Sequence, residues 1–157
     1  MMRHTLLKGQ VLSFTDTPFE HDPAATASLT TAGGVLIGEG KIIAVAPASE
    51  LLQKAPEATV HDYGDRLIMA GFVDAHAHYP QTAIIASWGK RLIDWLNSYT
   101  FPEEMRFADP EYAAMIAARY LDLTAQNGTT TMASFATIHP TGVDAFFTAA
   151  QTRGQRV

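Results

Sequence analysis

The chain of 157 residues contains no cysteine. That excludes a disulfide framework and any thiolate metal site, and it agrees with a reducing compartment. It also lacks a basic run. Asp and Glu number 16 against 11 Lys and Arg, a net charge of −5, so a nucleic-acid groove or an anionic membrane would be repelled more than attracted. Long apolar stretches are missing too. The opening segment, Met1-Met2-Arg3-His4-Thr5-Leu6-Leu7-Lys8, is no signal-peptide h-region, and nothing approaches the length of a membrane span. No Gly-rich phosphate loop, nucleophile elbow or Ser-His-Asp order is present. A soluble cytoplasmic protein with neither nucleic-acid nor membrane partners is the expectation. With 47% hydrophobic and 17% charged residues, the chain has the composition of a folded protein rather than a disordered one.

The first third reads as β-structure. Residues 6–14 look extended, and residues 15–31, rich in Asp, Pro, Thr and Ala, read as a polar loop. Two β-branched runs around Gly38-Glu39-Gly40-Lys41 form a hairpin signal. A helical turn over residues 49–54 and a short strand over 59–63 complete this part, giving a small β domain segment over residues 1–66.

The pattern changes at Leu67. Residues 67–76 are nearly all apolar, as expected of a strand buried on both faces of a parallel sheet. A helix-rich stretch over residues 83–97 follows. Asp109-Pro110-Glu111 then has the cap, first-turn proline and acidic residue of a helix start. Apolar Tyr112, Met115, Ile116, Tyr120 and Leu123 keep helical spacing, and Gly128 stands where a C-terminal cap glycine belongs. Residues 129–135 read as a strand, 143–152 as a helix, and 155–157 as the approach to a third strand. Strand, helix, strand, helix argues for βαβ units. A complete (β/α)8 barrel needs ~250 residues, so residues 67–157 hold only its first two βα units. The expected fold class is α/β: the N-terminal part of a TIM-like barrel, incomplete in this chain, behind a small β-sandwich-type domain.

Asp74-Ala75-His76-Ala77-His78 is the sharpest chemical feature. On a strand, side chains alternate faces, so His76 and His78 point the same way, with Asp74 below them. Two imidazoles on one face suit a divalent cation, zinc or iron, and barrel sites lie at the C-terminal ends of strands. A His-x-His pair alone is a weak motif; two hydrogen-bonded histidines at a strand end would read identically.

Residues 67–78 resemble the first barrel strand of the amidohydrolase superfamily, and Gly40-Lys41-Ile42-Ile43-Ala44-Val45 is similar to a hairpin of its small β-domain. Within that superfamily, His78-Tyr79-Pro80-Gln81-Thr82, residues 92–104, Asn127-Gly128-Thr129-Thr130-Thr131 and Phe135-Ala136-Thr137-Ile138-His139-Pro140 resemble the guanine deaminases. Ala70 departs from the pattern, which usually has proline there. The resemblance implies hydrolytic deamination of guanine to xanthine and ammonia by a metal-activated water. His76 and His78 would be metal ligands for Zn2+ (Fe2+ being the alternative), and Gln81 would hydrogen-bond the purine. It places the third His, the Asp ligand and the acid–base Glu after Val157, so no catalytic residue is assigned within the chain and the isolated fragment is expected to be inactive. A homodimer is implied for the full-length form.

Other residues have plainer readings. Asp74 fits a partner of a ligand histidine or a strand-capping carboxylate equally well. His139 reads as a loop or cap histidine, and His4, His21 and His61 as solvated. Trp88, Trp95, Tyr99 and Phe101 suit core or subunit contact better than a purine pocket. Glu103 and Glu104 read as a helix start on the surface. Two other functions stay open: an aminohydrolase of the same superfamily acting on a different nucleobase or a triazine, and a non-catalytic assembly module whose exposed strand edges favour association.

Overall fold

The computed structural model describes residues 4–89 and 91–157. They form two compact units, Met1–Ala70 and Gly71–Val157. In the first, β1 (His4–Phe14), β2 (Ala27–Gly38), β3 (Lys41–Pro47) and β4 (Thr59–Ile68) make one sheet in the order β3-β2-β1-β4. β1 runs antiparallel to β2 and parallel to β4. The hairpin between β2 and β3 turns on Glu39 and Gly40, with φ of 51° and 73°. Two successive positive φ values are what a tight hairpin requires, and glycine supplies the second without strain. α1 (Pro23–Thr26) precedes β2, and α2 (Ala48–Lys54) carries Leu51 onto Leu6, Leu36 and Ala55 to form the core of this unit.

Two expectations for this unit change. Residues 15–31 are not all loop: Asp22 caps α1, and β2 begins at Ala27, where it pairs with Phe14. The polar composition hid a strand whose partner, the far end of β1, lies distant in sequence. The β-sandwich-type unit is represented by a single sheet, which carries an apolar cleft of about 490 Å³ lined by Leu7, Val11, Phe14, Val35 and Ile68 among others.

The second unit contains β5 (Phe72–His78), a 3-10 turn (Tyr79–Ile84), α3 (Leu92–Trp95), a π turn (Leu96–Thr100), α4 (Phe101–Met105), a 3-10 turn (Arg106–Ala108), α5 (Pro110–Gln126), β6 (Thr129–Phe135) and α6 (Pro140–Arg153). β5 and β6 are parallel neighbours, so β5-α5-β6-α6 is the βαβα order read from the sequence. Arg156 bridges in parallel to Thr131, the start of the expected third strand. The helix-rich stretch 83–97 is broken into turns and the short α3; Lys90 within it lies outside the described residues.

The apolar run from Leu67 is not one strand. Leu67 and Ile68 end β4, pairing with Gln10 and Val11, and a new strand starts at Phe72. Nor is β5 buried on both faces: Phe72 and Val73 are 56% and 70% exposed. Among the described residues β5 pairs only with β6, so too few neighbours surround it to cover both faces. α5 also buries a different stripe from the one expected. Ala113, Ile116, Ala117, Tyr120 and Leu121 are buried, while Met115 and Leu123 are exposed. Ala113 and Ala117 join the large Ile116, Tyr120 and Leu121 on the inward face, where their small side chains let α5 approach its neighbours closely.

The core of this unit gathers Tyr79, Phe107, Ile116, Tyr120, Leu121, Met132 and Phe146. At its entrance Gly71 lies against Thr130: a Cβ there would overlap the Thr130 Oγ1, Cγ2 and Cβ atoms. Gly71→Ala should therefore destabilise the fold by about 1–3 kcal/mol, the usual cost of overpacking. Adding Thr130→Ala should return part of that loss, as measured by chemical denaturation. Full stability in the single variant would mean that β5 and β6 do not meet this way.

Candidate metal and purine site

β5 delivers both histidines to one place. The His76 and His78 rings lie 5.3 Å apart between centroids, and their Nε2 atoms face each other at 3.2 Å. Strict alternation is not what achieves this. Between Asp74 and Ala77 the ladder slips: Asp74 pairs with Met132 but Ala77 with Ser134, so three steps on β5 match two on β6. Such a bulge re-aims side chains at a strand end. Within it the Asp74 carboxylate accepts the backbone N–H of His76 at 3.0 Å. Asp74 thus caps its own strand, and its charge also lies close enough to Tyr120 to help burial raise that phenol's pKa.

The residue after His78 locks the pair in position. Tyr79 is fully buried, stacked on Phe146 at 4.5 Å and edge-on to Phe107 at 5.4 Å. Its hydroxyl donates to the Gly142 carbonyl, and its backbone N–H donates to Ser134 Oγ at 2.9 Å. Burial holds the Tyr79 phenol in its neutral form, its pKa raised. On the other side, Phe135 stacks on the His78 ring at 4.8 Å and tilts against His76 at 5.6 Å.

Gln81 joins the pair: its Nε2 lies 3.3 Å from His78 Nδ1. His76, His78 and Gln81 line an open cleft of about 330 Å³ with Trp95, Tyr120 and Leu123. Trp95 anchors the wall of this cleft by donating its indole N–H to the Ser87 carbonyl at 3.1 Å. Phe135 and Tyr120 were missed as site residues by sequence reasoning. The signal for Phe135 was the register of two parallel strands, which places it beside His78.

The remaining singled-out residues lie elsewhere or act structurally. His139 caps α6, as expected, with its Nε2 buried and without a hydrogen-bond partner among the described residues. His21 pairs with Asp16 at 3.3 Å. Glu103 corrects the surface reading: it is buried, accepting from the Tyr112 hydroxyl and from Arg106 at 3.0 Å, while Arg106 covers the Tyr112 ring at 3.7 Å. The sequence hid this because the partners come from the next two elements. Glu104 is half-exposed, Phe101 is exposed, and Tyr99 is on the margin of exposure. No group of three or more His, Cys, Asp or Glu is gathered for a metal ion among the described residues. No helix among them is long and apolar enough to cross a membrane.

Two nitrogens bound to one tetrahedral zinc at ~2.0–2.1 Å stand roughly 3.3–3.4 Å apart. The observed 3.2 Å between the imidazole Nε2 atoms fits that spacing. Residues 67–157 match the model of the Amidohydrolase family, to which the chain belongs. Among its relatives, guanine deaminase of Escherichia coli (strain K12) is 37% identical over 158 residues, 98% of this chain and 36% of the relative. A solved guanine deaminase from Bradyrhizobium japonicum superposes with a TM-score of 0.92 at 30% identity, over 99% of this chain and 34% of the other. Another, from C. acetobutylicum with bound guanine in the active site, superposes with a TM-score of 0.79 at 28% identity, over 98% and 35%. The chain thus spans about a third of the length of the relatives it matches.

The Tyr112–Glu103 contact generates a pH prediction. Burial, then the Glu103 hydrogen bond and charge, push the Tyr112 phenol up to about 12. A raised phenol contributes stability that is complete below its unfolded value of ~10 and is lost as pH climbs towards the folded value. Thermal midpoints should fall between about pH 10 and 12. Tyr112→Phe should make that fall shallower, while costing about 1–3 kcal/mol at neutral pH by leaving Glu103 short of a donor. An unchanged alkaline slope would contradict the contact.

Proposed function

We propose that this chain is the N-terminal part of a zinc-dependent guanine deaminase, with His76 and His78 as two metal ligands and Gln81 as a contact to the purine. The observation that carries the reading is the 3.2 Å approach of the two Nε2 atoms at the mouth of a cleft. The named relatives support the substrate: a solved guanine deaminase holds guanine, and this chain resembles it along nearly its whole length.

A divalent metal held there supplies an acidified water at neutral pH, the nucleophile that hydrolytic deamination needs. Zinc suits two imidazoles, and iron accepts them equally. This chain's own residues bind and orient. His76 and His78 present their Nε2 atoms, Phe135 walls off one side of the His78 ring, and Tyr79 keeps the strand end from swivelling. Gln81 offers an amide that can both donate to and accept from a purine edge. The remaining ligands and the proton-shuttling carboxylate are assigned to the rest of the enzyme. The same reading makes the protein cytoplasmic and, at full length, a homodimer. Its negative charge agrees with a small-molecule substrate rather than nucleic acid.

Two measurements test this. The 157-residue chain incubated alone with zinc and guanine should form no appreciable xanthine, and steady turnover would show that its site is complete. In the full gene product, His76→Ala and His78→Ala should each abolish bound zinc, read by elemental analysis, together with activity. Metal retained in either variant would end the assignment; iron in place of zinc would correct only the cofactor.

A further inference from the structure

Ile84, Ile85, Ala86 and Ser87 line the same cleft as the histidine pair, and their side of it departs from regular structure at several points. Ala86 has a φ of 64°, a left-handed conformation that residues with a Cβ rarely adopt. Such positions persist only where the surroundings hold them, and they gather at functional sites. Ile85 is 67% exposed and Ala86 is exposed too, so burial contributes little to fixing this loop. Trp95 supplies the hold instead. Its indole N–H donates to the Ser87 carbonyl at 3.1 Å. Gly89 seats the ring: a Cβ there would fall 2.6 Å from Trp95 Cβ and 3.1 Å from its Cδ1. Trp95 also closes α3, and the π turn Leu96–Thr100 follows at once. Single π turns are rare and frequently mark functional sites.

We infer that Trp95 is a positioning residue for substrate binding: it fastens residues 84–87 as one wall of the cleft beside the histidine pair, and so forms in advance the space that a flat purine enters. The inference rests on the proposed guanine substrate. It gives Trp95 a part in substrate affinity and none in holding the metal. A ligand that meets a wall already in place need not order it. With the tie removed, binding must also order the loop, so KM rises, while the complex once formed is the same and kcat holds.

Two variants of the full gene product test this. Trp95→Phe keeps an aromatic ring in the seat and removes the N–H; Gly89→Ala keeps the N–H and crowds the ring out of its seat. Amide hydrogen exchange at Ser87, whose N–H is held by the Ile84 carbonyl at 3.0 Å, should quicken in both. The KM for guanine should rise roughly 2–10-fold, the worth of one hydrogen bond, with kcat and bound zinc within about twofold of the parent. Faster exchange with a parental KM would mean that the loop is no wall for the substrate. A higher KM with parental exchange would mean that the indole touches the substrate itself. Either result overturns the positioning role, and so does a loss of zinc in step with activity, which would put the damage at the histidine pair. A parent protein that does not deaminate guanine sinks the proposed function instead, while the exchange comparison still decides whether Trp95 holds the loop, so the two failures are distinguishable.

Discussion

Everything about the site depends on the burial of one ring. Tyr79 sits immediately after His78, at the point where β5 ends and the chain must turn away. Its side chain is wholly enclosed, stacked on Phe146 and set edge-on to Phe107, and its hydroxyl is anchored on Gly142. Each aromatic contact is worth about 0.5–1.5 kcal/mol beyond the area it buries. Since adjacent residues of an extended chain point to opposite sides, driving Tyr79 into the core drives the His78 ring out of it. The fold does not need a buried β5 to fix the His78 ring. A buried residue next to it suffices, which is why an exposed strand end can still be geometrically well defined.

The bulge between Asp74 and Ala77 is the second constraint. A regular strand would place residues 76 and 78 one above the other, about two residue rises apart along the chain. Slipping the ladder by one residue changes the aim of the first imidazole, so that the two Nε2 atoms meet at 3.2 Å. The Asp74 carboxylate stabilises this departure from regularity by taking the His76 N–H. An acidic residue two positions before the first histidine therefore has a structural role that its charge alone would not disclose.

How much of this could be read in advance follows from the range of the interactions involved. The pairing of His76 and His78 was legible from their i, i+2 spacing, though the bulge between Asp74 and Ala77, not alternation alone, sets how they meet. So were the start of α5, where Asp109 accepts the Glu111 N–H, and its end, where Gly128 takes a φ of 82°. The division of the apolar run at residues 69–71 was not legible. Leu67 and Phe72 are equally apolar, and only the pairing of Leu67 with Gln10 assigns it to the other sheet. The strand at Ala27 and the burial of Glu103 were hidden for the same reason: each depends on partners outside its own window. The inward face of α5 was read in part: Ile116 and Tyr120 are buried, but periodicity counted on large residues also took in exposed Met115 and Leu123 and passed over Ala113 and Ala117. In the site, the pair was legible and its surroundings were not. Phe135 reaches His78 only through a parallel register set by a 17-residue helix between the strands.

The proposed role of the pair also bears on how a cation site would be built before its cation arrives. Two imidazole nitrogens that face each other across one aromatic ring would repel if both lone pairs were left without a partner. Here the two Nε2 atoms lie within hydrogen-bond distance of each other at 3.2 Å, and the Gln81 amide reaches the far side of the His78 ring at 3.3 Å. On the proposed reading, an ion would replace that contact with little movement of the backbone that Tyr79 holds, so the fold would form first and take its metal afterwards, unlike small domains in which folding and metal binding are one event.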